Sequence, residues 1–152
     1  ALSSLVQPGN RATPIRVEIS DVLTLVRPGD FVDVLCVCGE AKDATVLLQR
    51  VLVLAAGTET SAPASDGKES HGARRVTFLT LSTSLRESQL LAVAMEKGKL
   101  SAVVRNPSDQ RVVEAPADVS AQALTDASRR QGIQSARRRI ATAPIELKET
   151  AP

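Results

Sequence analysis

The sequence of 152 residues has few of the side chains that enzymes and base- or sugar-binding proteins commonly use. Aromatic residues make up 1% of it, with Phe31, Phe78 and neither Trp nor Tyr, which almost excludes stacking platforms for bases or sugar rings. His71 is the only histidine, so two-histidine metal sites are excluded, and its place in a low-complexity segment predicts a solvated side chain. We therefore expect no catalytic residues, no metal site and no cofactor.

Two cysteines, Cys36 and Cys38, are too few for a disulfide scaffold and too close together for an ordinary zinc site. In a strand, residues two positions apart lie on the same face, and a bridge between such neighbours needs distorted geometry. We expect both thiols to pack in the core as small apolar groups. The longest apolar run, residues 51–56, is far shorter than the roughly 18 residues that a membrane span needs.

The remaining composition is that of a globular domain. Hydrophobic residues make up 43% and charged residues 24%, and the formal net charge is +2. The length predicts a single domain, and the composition predicts a core of Val, Leu, Ile and Ala. Because the chain begins at Ala1 without an initiator Met or a signal sequence, we expect it to be processed or part of a longer protein.

The dipeptide Pro-Gly occurs at residues 8–9 and again at residues 28–29, each time after an apolar pair. Proline presets φ at the second position of a turn and glycine accepts the positive φ that follows, so Pro8-Gly9 and Pro28-Gly29 predict tight turns that each begin a new strand. Asp30 follows the second turn. We expect its carboxylate to bond the turn backbone rather than to act with Asp33 as a catalytic pair.

Period-two alternation of apolar residues predicts a series of strands. These strands cover residues 13–19, 31–38, 44–56, 75–81 and 99–106. In the third, the polar pair Gln49-Arg50 predicts a bend or a bulge. Residues 85–97 predict a helix, with a capping box formed by Ser84 and Glu87 and with Gly98 as the terminating C′ residue.

Two segments lack an apolar period. Residues 57–73 predict a flexible loop, and residues 108–152 predict an extended tail with a short helix near residues 119–130. The fold class is therefore mainly β (α+β), with one helix in a strand–helix–strand unit and a C-terminal tail. The arginines of the tail fit a solvated surface, an anionic lipid or an acidic partner, and nucleic acid fits least because the rest of the chain is not basic.

Four segments carry a family resemblance. They read PGNRA at residues 8–12, VRPGDFVDVL at 26–35, LLQRVLVLA at 47–55 and KLSAVVRNP at 99–107. In this order they resemble the Flp pilus assembly proteins of the CpaB/RcpC family, over about residues 5–109. The PGDxVDVL segment also occurs in other SAF-type domains, whereas the four segments in register are specific.

The resemblance implies a fold and a function. It implies a SAF- or β-clip-like region in residues 1–38, an RcpC-type β domain in residues 39–107, and a partner-binding or disordered tail in residues 108–152. The implied function is a non-enzymatic periplasmic part of the Flp (tight adherence, Tad) pilus machine. It would dock on the outer-membrane secretin as a ring-like homo-oligomer, link it to inner-membrane assembly proteins, bind no nucleic acid, and reach the membrane through an N-terminal anchor absent from this chain.

Under this hypothesis, docking uses exposed strand edges or the tail, with no catalytic side chain. A flagellar P-ring assembly chaperone is the alternative, which the LLQ and LSxxxR segments oppose. A SAF-containing sugar dehydratase or synthase would need clustered His, Lys or carboxylates near a glycine-rich pocket, and the sequence has no such cluster. The predicted docking residues of the tail are apolar anchors and an arginine cluster, namely Val112, Val113, Ile145, Leu147, Arg137, Arg138 and Arg139.

Overall fold

The computed structural model of the chain describes residues 1–18, 26–60 and 75–141. The described part confirms a mainly β fold with a helix between two strands. Predicted residue 19 and residues 61–73 of the predicted loop lie outside the described residues. The elements are β1 (Arg11–Glu18), β2 (Phe31–Cys38), β3 (Asp43–Thr60), β4 (Arg75–Thr83), α1 (Leu85–Lys97), β5 (Gly98–Val104) and α2 (Ala127–Ala141), with short 3-10 turns at Leu2–Leu5 and Ala121–Leu124.

The five strands form one antiparallel sheet in the order β1-β4-β3-β2-β5. The two edge strands, β1 and β5, also approach each other, and α1 contacts all five strands. The sheet therefore curls around the helix. Its core is aliphatic, as the composition predicts, and its fully buried side chains include Ile15, Val32, Val34, Leu79, Leu81 and Leu91.

Both predicted Pro-Gly turns are present. Gly9 and Gly29 have φ values of 92° and 97°, which are typical of the third residue of a type II turn. In the second turn, the Asp30 amide donates to the Arg27 carbonyl at 3.1 Å, and the Asp30 carboxylate accepts a bond from the Arg27 amide at 2.9 Å. Asp30 thus binds the turn backbone, as expected.

The predicted interruption of β3 is a bulge in one continuous strand. Val32 pairs with Val51 and Val34 pairs with Leu48, so Gln49 and Arg50 together lie opposite a single residue of β2. Arg50 has a φ of 54°, a left-handed conformation that is uncommon for residues other than glycine. The strand is also longer than predicted, because residues 57–60 pair with β4 instead of forming a loop.

Helix α1 has the predicted bounds. The Ser84 side chain accepts a bond from the Glu87 amide, and the Glu87 carboxylate accepts one from the Ser84 amide. The prediction for Gly98 as a C′ residue was wrong, since its φ of −171° is extended. A glycine is needed there because an added Cβ would lie 2.8 Å from both Cα and Sγ of Cys38.

The prediction for the cysteines was half right. Cys36 is fully buried in the core, and Cys38 packs against it. However, the two sulfurs are joined as a disulfide. The Cα atoms are 5.5 Å apart, within the range that disulfides bridge, so the end of β2 brings these neighbours close enough.

The chain divides into two compact units, Ala1–Val119 and Ser120–Pro152. In the second unit, α2 begins later and extends further than the predicted short helix, whose bounds were therefore wrong. In the first unit, β2 lies between β3 and β5, so residues on both sides of position 38 build one sheet. The division at residues 38 and 107 concerns sequence modules and stays a prediction.

Candidate functional site

Residues 106–119, which we call the strap, follow β5 and are tied back to the sheet. The composition of this segment places it in the predicted tail. In the structure, Gln49, Arg105 and Ala44 attach it at three separate points. The strap is therefore part of the first compact unit rather than of a free tail.

The first attachment is the side-chain amide of Gln49, which bonds the strap backbone as a neighbouring strand would. Nε2 of Gln49 donates to the Val113 carbonyl at 2.9 Å, and Oε1 of Gln49 accepts a bond from the Val113 amide at 2.9 Å. Both backbone polar groups of Val113 are thus satisfied by one side chain. Because Gln49 lies in the bulge of β3, the bulge supplies the position from which its amide reaches the strap.

The second attachment is Arg105, whose side chain is only 9% exposed. Its Nη1 lies 3.4 Å from Oδ1 of Asp33, and its Nη2 lies 3.6 Å from Oδ2 of Asp109 and also donates to the Arg111 carbonyl. The Arg105 amide donates to the Phe31 carbonyl at 2.9 Å, which extends the pairing of β5 with β2. Arg105 therefore joins the sheet to the beginning of the strap.

Asp109 and Asp33 are the carboxylates of this junction. The pKa of Asp109 is lowered, mainly by the hydrogen bond from the Arg111 amide. Desolvation of the carboxylate opposes this effect, and the charges of Arg105 and Arg111 add to it. Oδ1 of Asp33 also accepts a bond from the Arg50 amide at 2.9 Å. Asp33 therefore holds the bulge directly and the strap through Arg105.

The Arg50 side chain completes the cluster. Its guanidinium lies over the ring of Phe31, 4.5 Å from the centroid, in a cation–π contact. Asp33, Gln49, Arg50 and Arg105 all belong to the segments that carry the resemblance. The structure thus brings these motif residues together, and their contacts fix the backbone of β3 and the strap.

The third attachment is a backbone bridge. The Ala44 amide donates to the Val119 carbonyl at 2.9 Å, and the Val119 amide donates to the Ala44 carbonyl at 3.0 Å. Between the attachments the apolar side chains face outward: Val112 is 57% exposed and Val113 is 64% exposed. Polar contacts hold the strap, and its valines are left available.

The predicted docking residues lie in different parts of the chain. Val112 and Val113 belong to the first compact unit, and Arg137 is an exposed residue of α2 in the second. Arg138 and Arg139 also belong to α2, whereas Ile145 and Leu147 lie outside the described residues. Docking by any of them stays a prediction.

Sequence reasoning did not assign a role to Gln49 or Arg105. The signal for Gln49 was the polar interruption of an apolar strand, which indicated the bulge but not what the amide would bind. Among the described residues, no group of three or more His, Cys, Asp or Glu side chains is placed to hold a metal ion. Over the same residues, no helix has the length and apolar character that crossing a membrane requires.

Comparison with known proteins gives the family. A family model described as Flp pilus assembly protein RcpC/CpaB matches residues 1–105. The chain belongs to this family. No curated protein and no solved structure matches the chain.

Membership of the RcpC/CpaB family assigns the chain a part in pilus assembly, with protein partners in the pilus machinery, and is consistent with the periplasm. The matched region ends at Arg105. It contains Asp33, Gln49 and Arg105, which hold the strap, whereas the strap itself and α2 follow the matched region.

Proposed function

We propose that this RcpC/CpaB family chain acts without catalysis in the periplasm, where it docks on the outer-membrane secretin and links it to the inner-membrane assembly proteins. The motif residues support this proposal by their roles. Asp33, Arg50 and Arg105 bind backbone groups and one another, which is the chemistry of a scaffold.

The observation that carries the proposal is the pair Val112-Val113 on the strap. An exposed apolar pair on a flexible tail would lose conformational freedom on binding, whereas Gln49 already fixes the backbone of Val113. Val112 and Val113 are therefore preorganised anchors for an apolar recess of a partner. A ring of copies around the secretin would repeat this contact and raise the overall affinity by effective concentration.

The test is a pull-down with the periplasmic part of an Flp pilus secretin. We expect Val112→Ser combined with Val113→Ser to abolish retention, because the apolar anchors are replaced while the Gln49 bonds to the backbone remain. The matched control replaces two equally exposed apolar residues of α1, Leu85→Ser and Val93→Ser, which are 54% and 60% exposed. Equal retention of both double variants would contradict docking through the strap.

A second comparison separates the two compact units. A chain ending at Val119 keeps the sheet and the strap and removes α2 together with Ile145 and Leu147. Retention of this chain supports docking by the first unit, and loss of retention would move the docking element to the second. Failure of the full chain to retain the secretin, with retention of a flagellar P-ring subunit instead, would overturn the secretin proposal.

A further inference from the structure

The basic residues of the chain are concentrated in one helix. Residues 120–152 carry six Lys and Arg against three Asp and Glu, whereas residues 1–119 carry 13 against 14. Within α2 there are five arginines in 15 residues and no acidic residue. The charge of the protein is therefore segregated rather than interspersed, which points to an anionic partner.

The first two arginines of α2 have partners within their own unit. Nε of Arg129 lies 3.3 Å from Oδ2 of Asp126. Nη1 of Arg130 donates to the Ala123 and Leu124 carbonyls at 3.0 and 2.9 Å. These contacts tie the beginning of α2 to the preceding 3-10 turn, and residues 127–145 contain no acid to neutralise the arginines at positions 137–139.

Apolar residues follow one side of the same helix. Ile133 and Ile140 are seven positions apart, which places them on one side of an α-helix, with Ala136 and Arg137 between them. Ile133 is 53% exposed, and Leu124 in the preceding turn is 80% exposed. Exposed apolar side chains on a helix rich in arginine are typical of helices that lie in the headgroup region of a membrane.

The spacing of the arginines distinguishes a lipid surface from an acidic protein. Consecutive helical residues are about 100° apart around the axis, so positions 137, 138 and 139 together span about 200°. One face of a folded protein meets a helix from one side only. Headgroups surround a helix that lies among them, and the long arginine side chains can extend toward the phosphates from either flank.

We propose that α2 binds the anionic phospholipid surface of a bilayer through the arginines at positions 137–139, with the exposed Ile133 as an apolar contact. Each Lys or Arg near an anionic lipid surface contributes about 1 kcal/mol to binding. This assigns the three arginines a ligand other than the secretin, and it does not depend on the secretin proposal.

The test measures co-sedimentation of the full chain with vesicles of phosphatidylglycerol and phosphatidylcholine, and with vesicles of phosphatidylcholine alone. We expect binding to the first kind only, with affinity that falls as salt is added. Replacing Arg137, Arg138 and Arg139 together by Gln should weaken binding by about a hundred-fold. A control of equal charge change, Arg16→Gln with Arg27→Gln and Arg86→Gln, should retain most of the binding.

One further variant and one further measurement keep the proposal falsifiable. Replacing the three arginines by Lys keeps the charges and should preserve lipid binding, whereas a protein surface that requires bidentate guanidinium contacts would lose it. Circular dichroism of the Gln variant checks that helix content is retained. Equal binding to both kinds of vesicle, unchanged binding by the Gln variant, or binding to an acidic protein but not to vesicles would each overturn the proposal. The vesicle experiment contains no secretin, so a failure to bind vesicles would leave the secretin proposal unaffected.

Discussion

The curled sheet and the strap are parts of one compact unit that are held by different interactions. Between the sheet and α1, Leu79, Leu81 and Leu91 are completely buried. The strap instead exposes Val112 and Val113 and is attached by hydrogen bonds and ion pairs. Burial of apolar surface is the dominant favourable contribution to folding, while a single hydrogen bond contributes only about 1 kcal/mol. From this comparison we expect that the strap can open while the sheet stays folded.

The largest expected effect is a loss of stability in the sheet and α1. Leu91 is fully buried where α1 meets the sheet, and Leu91→Ala should lower the free energy of unfolding by about 3 kcal/mol through lost contacts and a cavity. Urea denaturation measures this loss. Leu90→Ala is the control, since Leu90 is 42% exposed and should cost much less. Equal losses for the two variants would contradict the placement of the helix.

A smaller loss is expected where β5 meets β2. In Gly98→Ala the new methyl group would overlap Cα and Sγ of Cys38, so the two strands must separate, at a cost of about 2 kcal/mol. Gly57→Ala is the control, because a Cβ at Gly57 meets nothing within 4 Å. If thermal denaturation ranked Gly57→Ala as the more damaging change, the close approach at Gly98 would be wrong.

Gln49→Ala should detach the strap from the sheet. The change removes both side-chain bonds to Val113, so we expect the strap to open at a cost of about 1 kcal/mol while the sheet stays intact. Hydrogen exchange should show faster exchange at the Val113 amide and unchanged exchange in β2. Gln89→Ala on the exposed surface of α1 provides the matched control. Protection lost throughout the sheet would show that strap and scaffold are one cooperative unit.

The sheet and α1 were predictable because their signals are local. Alternation over a few residues reports which strand face is buried, and the capping box of Ser84 and Glu87 lies within one helical turn. The Gln49-Arg50 bulge was indicated for the same reason. The ends of β3 and the conformation of Gly98 were not, since both depend on the strand that pairs beside them.

The attachment of the strap had no local signal. Gln49 and Val113 are 64 residues apart in sequence, and the strap buries no large apolar side chain that would mark it by periodicity. Its Pro, Ala and charged residues are also the composition of a flexible tail. Val112 and Val113 are exposed, but their role as apolar anchors stays a prediction, and the amide that fixes Val113 was found only in the structure.

The smallest expected effect concerns pH and the beginning of the strap. The folded-state pKa of Asp109 is lowered from 3.8, so its carboxylate favours the closed strap above that pH, and the contribution is lost as pH falls through the lower folded value. We expect protection of the Arg111 amide, which donates to Asp109 at 3.0 Å, to decline on acidification below pH 3.8.

Asp109→Asn should flatten this dependence, because an amide does not titrate in that range. Asp118→Asn removes a second carboxylate from the strap and should leave it unchanged. Protection that declined equally with pH in the Asp109→Asn variant would place the titrating group elsewhere, and Arg105 would then hold the strap through the Arg111 carbonyl and Asp33 alone.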